Sequence, residues 1–593
     1  MQKVIIDCEV YKNYFLLSAM DEQSGRVKHF ELYEGQKLDV KKIRELMGKT
    51  LTLSFNGVNY DLIIIAAAVN GASNKQIKSL SDKLIKSNRP SWMVARELGI
   101  SVPQNWNHID LIEVAPGQAS LKIYGGRLHA PKLQDLPIEP DAEISPDDRK
   151  ALRDYCVNDL ETTRLLYREL EKQIDLRASM SEQYGVDLRS KSDAQIAEAV
   201  IKSELEKMTG KRYGKNELPE STTFKYQNPK IISFQTKQLK QIFNKVLSLD
   251  FGLGANGSVK MPEELAEAQI VIGSSTYNMG IGGLHSCEKS QYIKADKHHV
   301  LIDCDVASYY PSIILQQNLA PKSMGQPFLK VYQYLVTRRL NAKRDGDNVT
   351  ANTLKITING SFGKLGSKWS ALYAPDLLIQ TTLTGQLALL MLIERLELAG
   401  ISVISANTDG VVIHCESSRV DELRNIAFDW MLDTSYELEE THYSAIASRD
   451  VNNYVAVTTD GKIKRKGCFA SGGLMKNPDC AIISDAVVEF IATGKPIRET
   501  IYGCKDVRQF VSVRRVTGGA KWKDQYLGKA VRFYHSNDFK NAAQIDYAKN
   551  GNKVPKSDGC KPLMNYPDTL PTDIDYDRYI SAATELLKEV GYA

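Results

Sequence analysis

The sequence has no paired cysteines. Its nine cysteines stand singly, with no C-x-x-C and no histidine cluster beside them, which excludes a disulfide framework and a structural zinc site. Cys8, Cys156 and Cys304 sit in apolar surroundings and read as small core residues. Long apolar runs are missing too. A stretch such as Leu62 to Val69 is far too short to cross a bilayer, so no membrane partner is expected. The N-terminus, M-Q-K-V-I-I-D, lacks a signal-peptide pattern and enters a strand directly, which predicts an intracellular protein. Nor is there a large charge of one sign. A net +4 over 593 residues does not announce a nucleic-acid binder by itself. The distribution says more, because residues 501–540 hold nine Lys or Arg against three Asp.

What is present is ordinary in bulk and specific in detail. With 43% apolar and 25% charged residues the chain is globular, and its 593 residues exceed one core, so two to four domains are expected. V-I-I-D-C-E predicts a buried strand with Asp7 and Glu9 two positions apart, hence on one face. Two like charges held together call for a divalent cation. The strand at Leu51 to Phe55 runs into N-G-V-N-Y-D-L, with Asn56, Tyr60 and Asp61. In D-Y-C-V-N-D-L-E-T-T, Tyr155 and Asp159 are four apart on one helix face. Asp7, Glu9, Asp61 and Asp159 then form an acidic set sufficient for two magnesium ions acting on a phosphodiester.

A second constellation begins at Leu301 to Ile314, L-I-D-C-D-V-A-S-Y-Y-P-S-I-I. The pattern predicts a buried strand ending in Asp305, a turn at Ser308, and a helix with Pro311 in its first turn. Downstream, Q-Y-L-V-T-R-R-L-N-A-K-R and L-K-I-T-I-N-G-S-F-G flank a polar D-G-D-N turn and predict an antiparallel helical hairpin. Arg339 with Lys343, and Lys355 with Asn359, lie four apart, giving a basic face suited to a triphosphate. I-S-V-I-S-A-N-T-D-G-V-V-I-H predicts two strands with Asp409 at the turn, and G-K-I-K-R-K-G supplies Lys464 and Lys466 for phosphate contacts. The glycine-rich G-I-G-G-L-H at 280–285 permits close backbone approach.

In order, these segments resemble the motifs of family B DNA polymerases. The first set resembles the three motifs of their 3′–5′ proofreading exonuclease. D-V-A-S-Y-Y-P-S matches the first polymerase motif, K-I-T-I-N-G-S-F-G the second and A-N-T-D-G the third. K-R-K-G resembles the basic motif before the thumb, and G-I-G-G the loop between the lobes, with Gly280 where the family has tyrosine. The resemblance covers most of residues 1–470.

It implies an α+β multidomain fold, a ribonuclease H-like exonuclease domain joined to a right-hand polymerase of palm, fingers and thumb. The expected division is exonuclease 1–180, helical connector 181–270, palm 271–325 and 367–467, fingers 326–366 and thumb 468–593. Asp305 and Asp409, with the Val306 carbonyl, would hold two Mg²⁺ per active site, with Mn²⁺ as a substitute. Tyr310 would lie beneath the incoming sugar and exclude a 2′-hydroxyl; Arg339, Lys343, Lys355 and Asn359 would bind the triphosphate. Tyr155 would orient the hydrolytic water; Asn56, Tyr60, Ser120 and Leu121 would hold a frayed 3′ end. Arg514, Arg515, Lys521, Lys523, Lys529 and Arg532, interleaved with aromatics, would grip duplex DNA. The implied partners are primer–template DNA and deoxyribonucleoside triphosphates, with no accessory protein identified and a monomer expected. The gaps between motifs leave no room for protein-priming insertions, which points to a compact, phage-type replicative enzyme in the cytoplasm of a bacterial host.

Two positions depart from the third motif's usual D-T-D-S: Asn407 and Gly410. They leave open a 3′–5′ exonuclease whose polymerase lobe has decayed into a DNA-binding module. Gly360 and Phe362 likewise replace the usual Ser and Tyr of the second motif.

Overall fold

The alternation in V-I-I-D-C-E becomes the strand Lys3–Val10, central in a five-stranded sheet, in a computed structural model that describes residues 1–592. The sheet order is Val27–Leu32, Phe15–Asp21, Lys3–Val10, Leu51–Ser54, His108–Asp110; the first three strands pair antiparallel and the last two join in parallel. Val4, Ile6 and Cys8 point into a core shared with the helix Asp61–Val69. Ile5, on the other face, packs with Leu53, Ile109 and Leu160. Asp7 and Glu9 share the register of Ile5 and so face the helix Asp148–Tyr184.

That helix is 37 residues long, about 55 Å at 1.5 Å per residue. It carries Tyr155 and Asp159 near one end. At the other, Met180 and Tyr184 pack on Ile196 and Val200 of the helix Asp193–Thr209. Ser192 caps the latter in a capping box with Gln195.

The second sheet has ten strands, all paired antiparallel. Its middle is the strand His299–Val306, between Gly410–Glu416 and Leu438–Asp450. Ile302, Cys304 and Val306 face down into the largest core, with Leu387 and Leu390 of the helix Pro375–Leu398. Asp303 and Asp305 face up. The segment Pro375–Leu398 corrects the expectation that no stretch approaches a membrane span. By length and composition it is long and apolar enough, with mean hydropathy 1.5 over 18 residues, but 83% of that window is buried in this core.

The helical hairpin forms as expected, Gly325–Arg344 and Asn348–Leu365, and the helix Asp193–Thr209 packs across it. Gly360 is the contact point. A Cβ there would lie 2.8 Å from the Asp193 carbonyl oxygen and 2.9 Å from the Ala197 Cβ, so the serine usual at this position in the resembled motif would not fit. The segment read as a connector, 181–270, is therefore divided between two bodies. Its first helix joins the hairpin, while Tyr226, Phe234, Leu239 and Ile270 complete the core beneath the ten-stranded sheet.

Beyond residue 468 the helix expected at Ile482–Thr493 forms as Ala481–Thr493 and packs near Tyr576–Glu589. The basic stretch is a β-hairpin, Ser512–Trp522 and Gln525–His535, flanked by Ile545–Tyr547 and Cys560–Pro562. Two of its cations are not available to DNA as expected. Arg532 is fully buried and donates to the carbonyls of Leu563, Ala130, Pro131 and Met564, with its guanidinium over the Tyr566 ring. Arg514 is paired with Asp479.

Candidate active sites

The first site lies between the five-stranded sheet and the helix Asp148–Tyr184. Ligand atoms of Asp7, Glu9 and Cys156 fall within 4.8 Å of one another. Asp61 enters from the start of its own helix, almost wholly buried. Burial, followed by mutual repulsion with Asp61 and Asp159, pushes the Asp7 carboxyl well above the usual range. Glu9 is raised by burial and then by Asp7. Asp61 is lifted to about 7 by burial and the nearby Asp110, and Asp159 to about 6 by burial, against lowering by the Tyr155 hydroxyl and Lys122. A set of carboxylates this close and this desolvated fits a divalent cation, which would relieve the repulsion that raises them.

Three residues of this site escaped the sequence reading. Cys156 is buried as expected, but its thiol also donates to Asp7 Oδ2 at 3.3 Å. Lys122 sits 5.3 Å from the Tyr155 ring centroid and pairs with Asp135. Asp110 accepts the backbone N–H groups of Asn56, Val58 and Ile112 and so fixes the turn ahead of Asp61. Only Lys122, inside the segment that supplies Ser120 and Leu121, carried any signal. Ser120 stands at the N-cap position of the short helix Leu121–Arg127 that delivers it, without a side-chain capping bond. Tyr60 is held differently from expectation. Its hydroxyl bonds Ser81 Oγ at 2.7 Å and its ring packs on the core, so Val58, half exposed, is the apolar side chain that this loop offers to solvent.

The second site sits on the upper face of the ten-stranded sheet. Asp305 pairs in register with Gly410, and the Val306 N–H donates to the Asp409 carbonyl at 2.7 Å, which places the Asp409 turn beside the Asp305 strand end. Two cavities of about 320 Å³ meet there, and Asp409 lines both. One is walled by Asp303, Asp305, Asn407, Lys464 and Lys466. The other is walled by Val306, Tyr310, Arg339, Asn359 and Phe362. The Tyr310 ring stacks on Phe362 with centroids 4.3 Å apart and its hydroxyl donates to the Gly282 carbonyl. The glycine-rich loop is thus part of this site, and its Leu284 carbonyl also accepts the Thr408 N–H at 2.8 Å.

Burial, with Asp303 second, raises Asp305 to about 6, and burial raises Asp409. Gly410 has a reason for being glycine: a Cβ would collide with Asp305 Oδ1 and lie 3.1 Å from its Cγ. The absence of that methyl leaves the Asp305 carboxylate its position, a donor set that with Asp409 and the Val306 carbonyl fits a magnesium-sized cation.

Asp303 was not anticipated, although D-C-D repeats the spacing of D-C-E at the first site. It is buried, bonded by the Tyr443 hydroxyl, and 3.0 Å from the Lys464 ammonium, which also lies 3.8 Å from Asp305. Lys464 therefore turns into the carboxylates rather than outward to a phosphate surface as expected. Lys466 lines the same cavity near Tyr454. Asn407 donates its amide to the Val451 carbonyl at 3.3 Å and accepts from Thr408 Oγ1 at 3.1 Å. Of the four hairpin residues, Arg339 and Asn359 reach the cleft, Arg339 donating to Ser308 Oγ. Lys343 is 3.8 Å from Glu439, and Lys355 is exposed outside the cleft wall.

No protein-family description and no curated protein matches the chain. Among solved structures, the family B DNA polymerase from the hyperthermophilic archaeon Pyrobaculum calidifontis is similar, with a TM-score of 0.43 and 14% identity over 100% of this chain and 78% of that one. So distant a likeness does not transfer that protein's activity.

Proposed function

We propose that this chain is a DNA-directed DNA polymerase of the family B type, with a separate 3′–5′ proofreading site. The observation that carries the reading is Asp409 standing between two cavities. One is acidic and lysine-flanked; the other is bounded by an aromatic platform, an arginine and an asparagine. That pairing suits a reaction joining a primer end to a triphosphate.

Asp305, Asp409 and the Val306 carbonyl would hold Mg²⁺, or Mn²⁺ in its place. Bound there, the metal supplies Lewis-acid activation of the primer hydroxyl and of the leaving pyrophosphate. Arg339, which donates to Ser308 Oγ, would hold the phosphates, while Lys343, beside Glu439, and Lys355, exposed outside the cleft wall, would add positive charge from the hairpin. Tyr310, stacked on Phe362 and bonded to the Gly282 carbonyl, would form the floor beneath the sugar and exclude a 2′-hydroxyl. The Lys464 ammonium offsets part of the repulsion from Asp303 that, after burial, raises Asp305.

At the other site Asp7, Glu9, Asp61 and Asp159 would hold metal for hydrolysis, with Tyr155 and Lys122 toward the scissile phosphate. The order of the first sheet supports a ribonuclease H-like domain there, and the ten-stranded sheet, helical hairpin and C-terminal region support palm, fingers and thumb. A compact replicative role in phage DNA synthesis, as an intracellular monomer acting on primer–template DNA and deoxyribonucleotides, completes the proposal.

Asn407 is the one observation favouring a decayed polymerase lobe. Its amide donates to the Val451 carbonyl and accepts from Thr408 Oγ1, so the turn is held without the missing carboxylate. Extension of a labelled primer with magnesium and deoxyribonucleotides decides between the two. Growth that Asp305→Ala abolishes supports the polymerase; digestion alone, abolished by Asp7→Ala, supports the decayed lobe.

A further inference from the structure

Lys464 starts on the short edge strand Ile463–Arg465 and ends three strands away, on the strand that carries Asp305. Its ammonium lies 3.0 Å from Asp303 Oδ2, 3.3 Å from the Tyr443 hydroxyl and 3.8 Å from Asp305 Oδ2. Tyr443, on the intervening strand Leu438–Asp450, donates its hydroxyl to the same Asp303 oxygen. The three groups close a triangle, with Asp305 just outside it. Asp303 is 5% exposed, whereas the Lys464 side chain is 45% exposed. The carboxylate is fixed by its surroundings, and the ammonium is the partner with room to turn.

Asp303 has a distinct place among the carboxylates of this cavity. Asp303, Asp305 and Asp409 line the wall, and among the described residues no Lys or Arg other than Lys464 forms an ion pair with any of them. Arg465, in the same wall, is paired with Asp485, and Lys466 lies 5.9 Å from the Tyr454 ring centroid. Asn407 brings no charge. Asp303 is therefore the one carboxylate of the cavity that a cation on Asp305 and Asp409 does not need.

A divalent cation on Asp305 and an ammonium 3.8 Å from the same carboxylate repel each other in a poorly solvated site. Lys464 must leave Asp305 as the cation binds. Turning toward the triangle lengthens the Asp305 contact alone and keeps the bonds to Asp303 and Tyr443. Without Asp303, the strongest attraction left to the ammonium is Asp305 itself, and Lys464 becomes a competitor for a metal ligand.

We propose that Asp303, with the Tyr443 hydroxyl, is a positioning residue that holds Lys464 away from Asp305 when a divalent cation binds. The proposal rests on the metal-binding part of the polymerase reading, and its test is one of binding, with neither DNA nor catalysis. Full-length protein carrying Asp7→Ala and Glu9→Ala is titrated with Mn²⁺, and the free ion is followed by its electron paramagnetic resonance signal. The binding that Asp305→Ala removes is the quantity compared. Asp303→Asn weakens that binding about tenfold. Lys464→Met strengthens it less than about threefold in the parent but about tenfold in the Asp303→Asn protein, because only there does the ammonium compete. Tyr443→Phe keeps every charge, weakens binding about fivefold, and is likewise relieved by Lys464→Met. Equal gains from Lys464→Met in both backgrounds overturn the proposal. So does an Asp303→Asn loss that Lys464→Met leaves in place, or binding that survives Asp305→Ala undiminished. Melting curves identify a folding defect in Asp303→Asn, and the Tyr443→Phe arm then decides. Failure of the polymerase reading would appear elsewhere, as absence of primer extension with these binding ratios intact.

Discussion

At the scale of single residues, the two departures from the third motif have different physical characters. Gly410 is required by contact with Asp305, so Gly410→Ser displaces the carboxylate. We expect extension to fall at least about tenfold, as misplacement of a reacting group does, with digestion unchanged; both are read on labelled primers. Asn407 is fitted as an amide. Asn407→Asp sets a carboxylate against the Val451 carbonyl and adds charge beside Asp409 and Asp305. The expected cost is about 1–3 kcal/mol in metal-free denaturant unfolding, shrinking in saturating magnesium. Strand and turn pattern places Asp305 and Asp409, and the resemblance points to Tyr310; helix spacing picks Arg339 and Asn359, which line the cleft, but equally Lys343 and Lys355, which do not. Asp303 carries the same two-residue spacing from Asp305 that joins Asp7 to Glu9. Cys156 and Asp110 had no signal, since each acts through a contact between segments distant in sequence.

At the scale of elements, the strand ends, the Ser192 cap and the helical hairpin followed from local pattern. The C-terminal basic stretch did not. Alternating Arg and aromatic residues suit both an exposed grip and a hairpin with one buried face, and charge alone does not say which face is inward. Arg532 settles the matter for its strand, bonding four carbonyls, two of them in the first domain's Ala130–Pro131 segment. Arg532→Met leaves those carbonyls without a charged donor. The expected loss is about 3 kcal/mol of stability by denaturant titration, with duplex DNA affinity within about twofold of the parent. A large fall in affinity with unchanged stability would return Arg532 to the DNA-binding surface. The helix Pro375–Leu398 makes the same point about burial. Its composition suits a bilayer, and only the sheet above it and the 226–270 segment around it identify it as core.

At the scale of the molecule, two desolvated acidic centres make stability depend on pH and metal. Asp61 near 7, and Asp159 and Asp305 near 6, hold protons in the native state that an unfolded chain releases near 4. The metal-free native state thus binds more protons, and stability falls as pH rises from about 4 to about 7. Magnesium, which binds the ionised groups, should raise the melting temperature more at pH 8 than at pH 5. Equal shifts at both would contradict this. The central claim is that the centre at Asp305 and Asp409 builds DNA while the centre at Asp7 and Glu9 removes it. Its most direct measurement is extension and digestion of one labelled primer–template, with magnesium and deoxyribonucleotides, by the Asp305→Ala and Asp7→Ala proteins side by side. The account predicts digestion without extension for Asp305→Ala and extension without digestion for Asp7→Ala. Both activities lost together, or extension surviving Asp305→Ala, would contradict it.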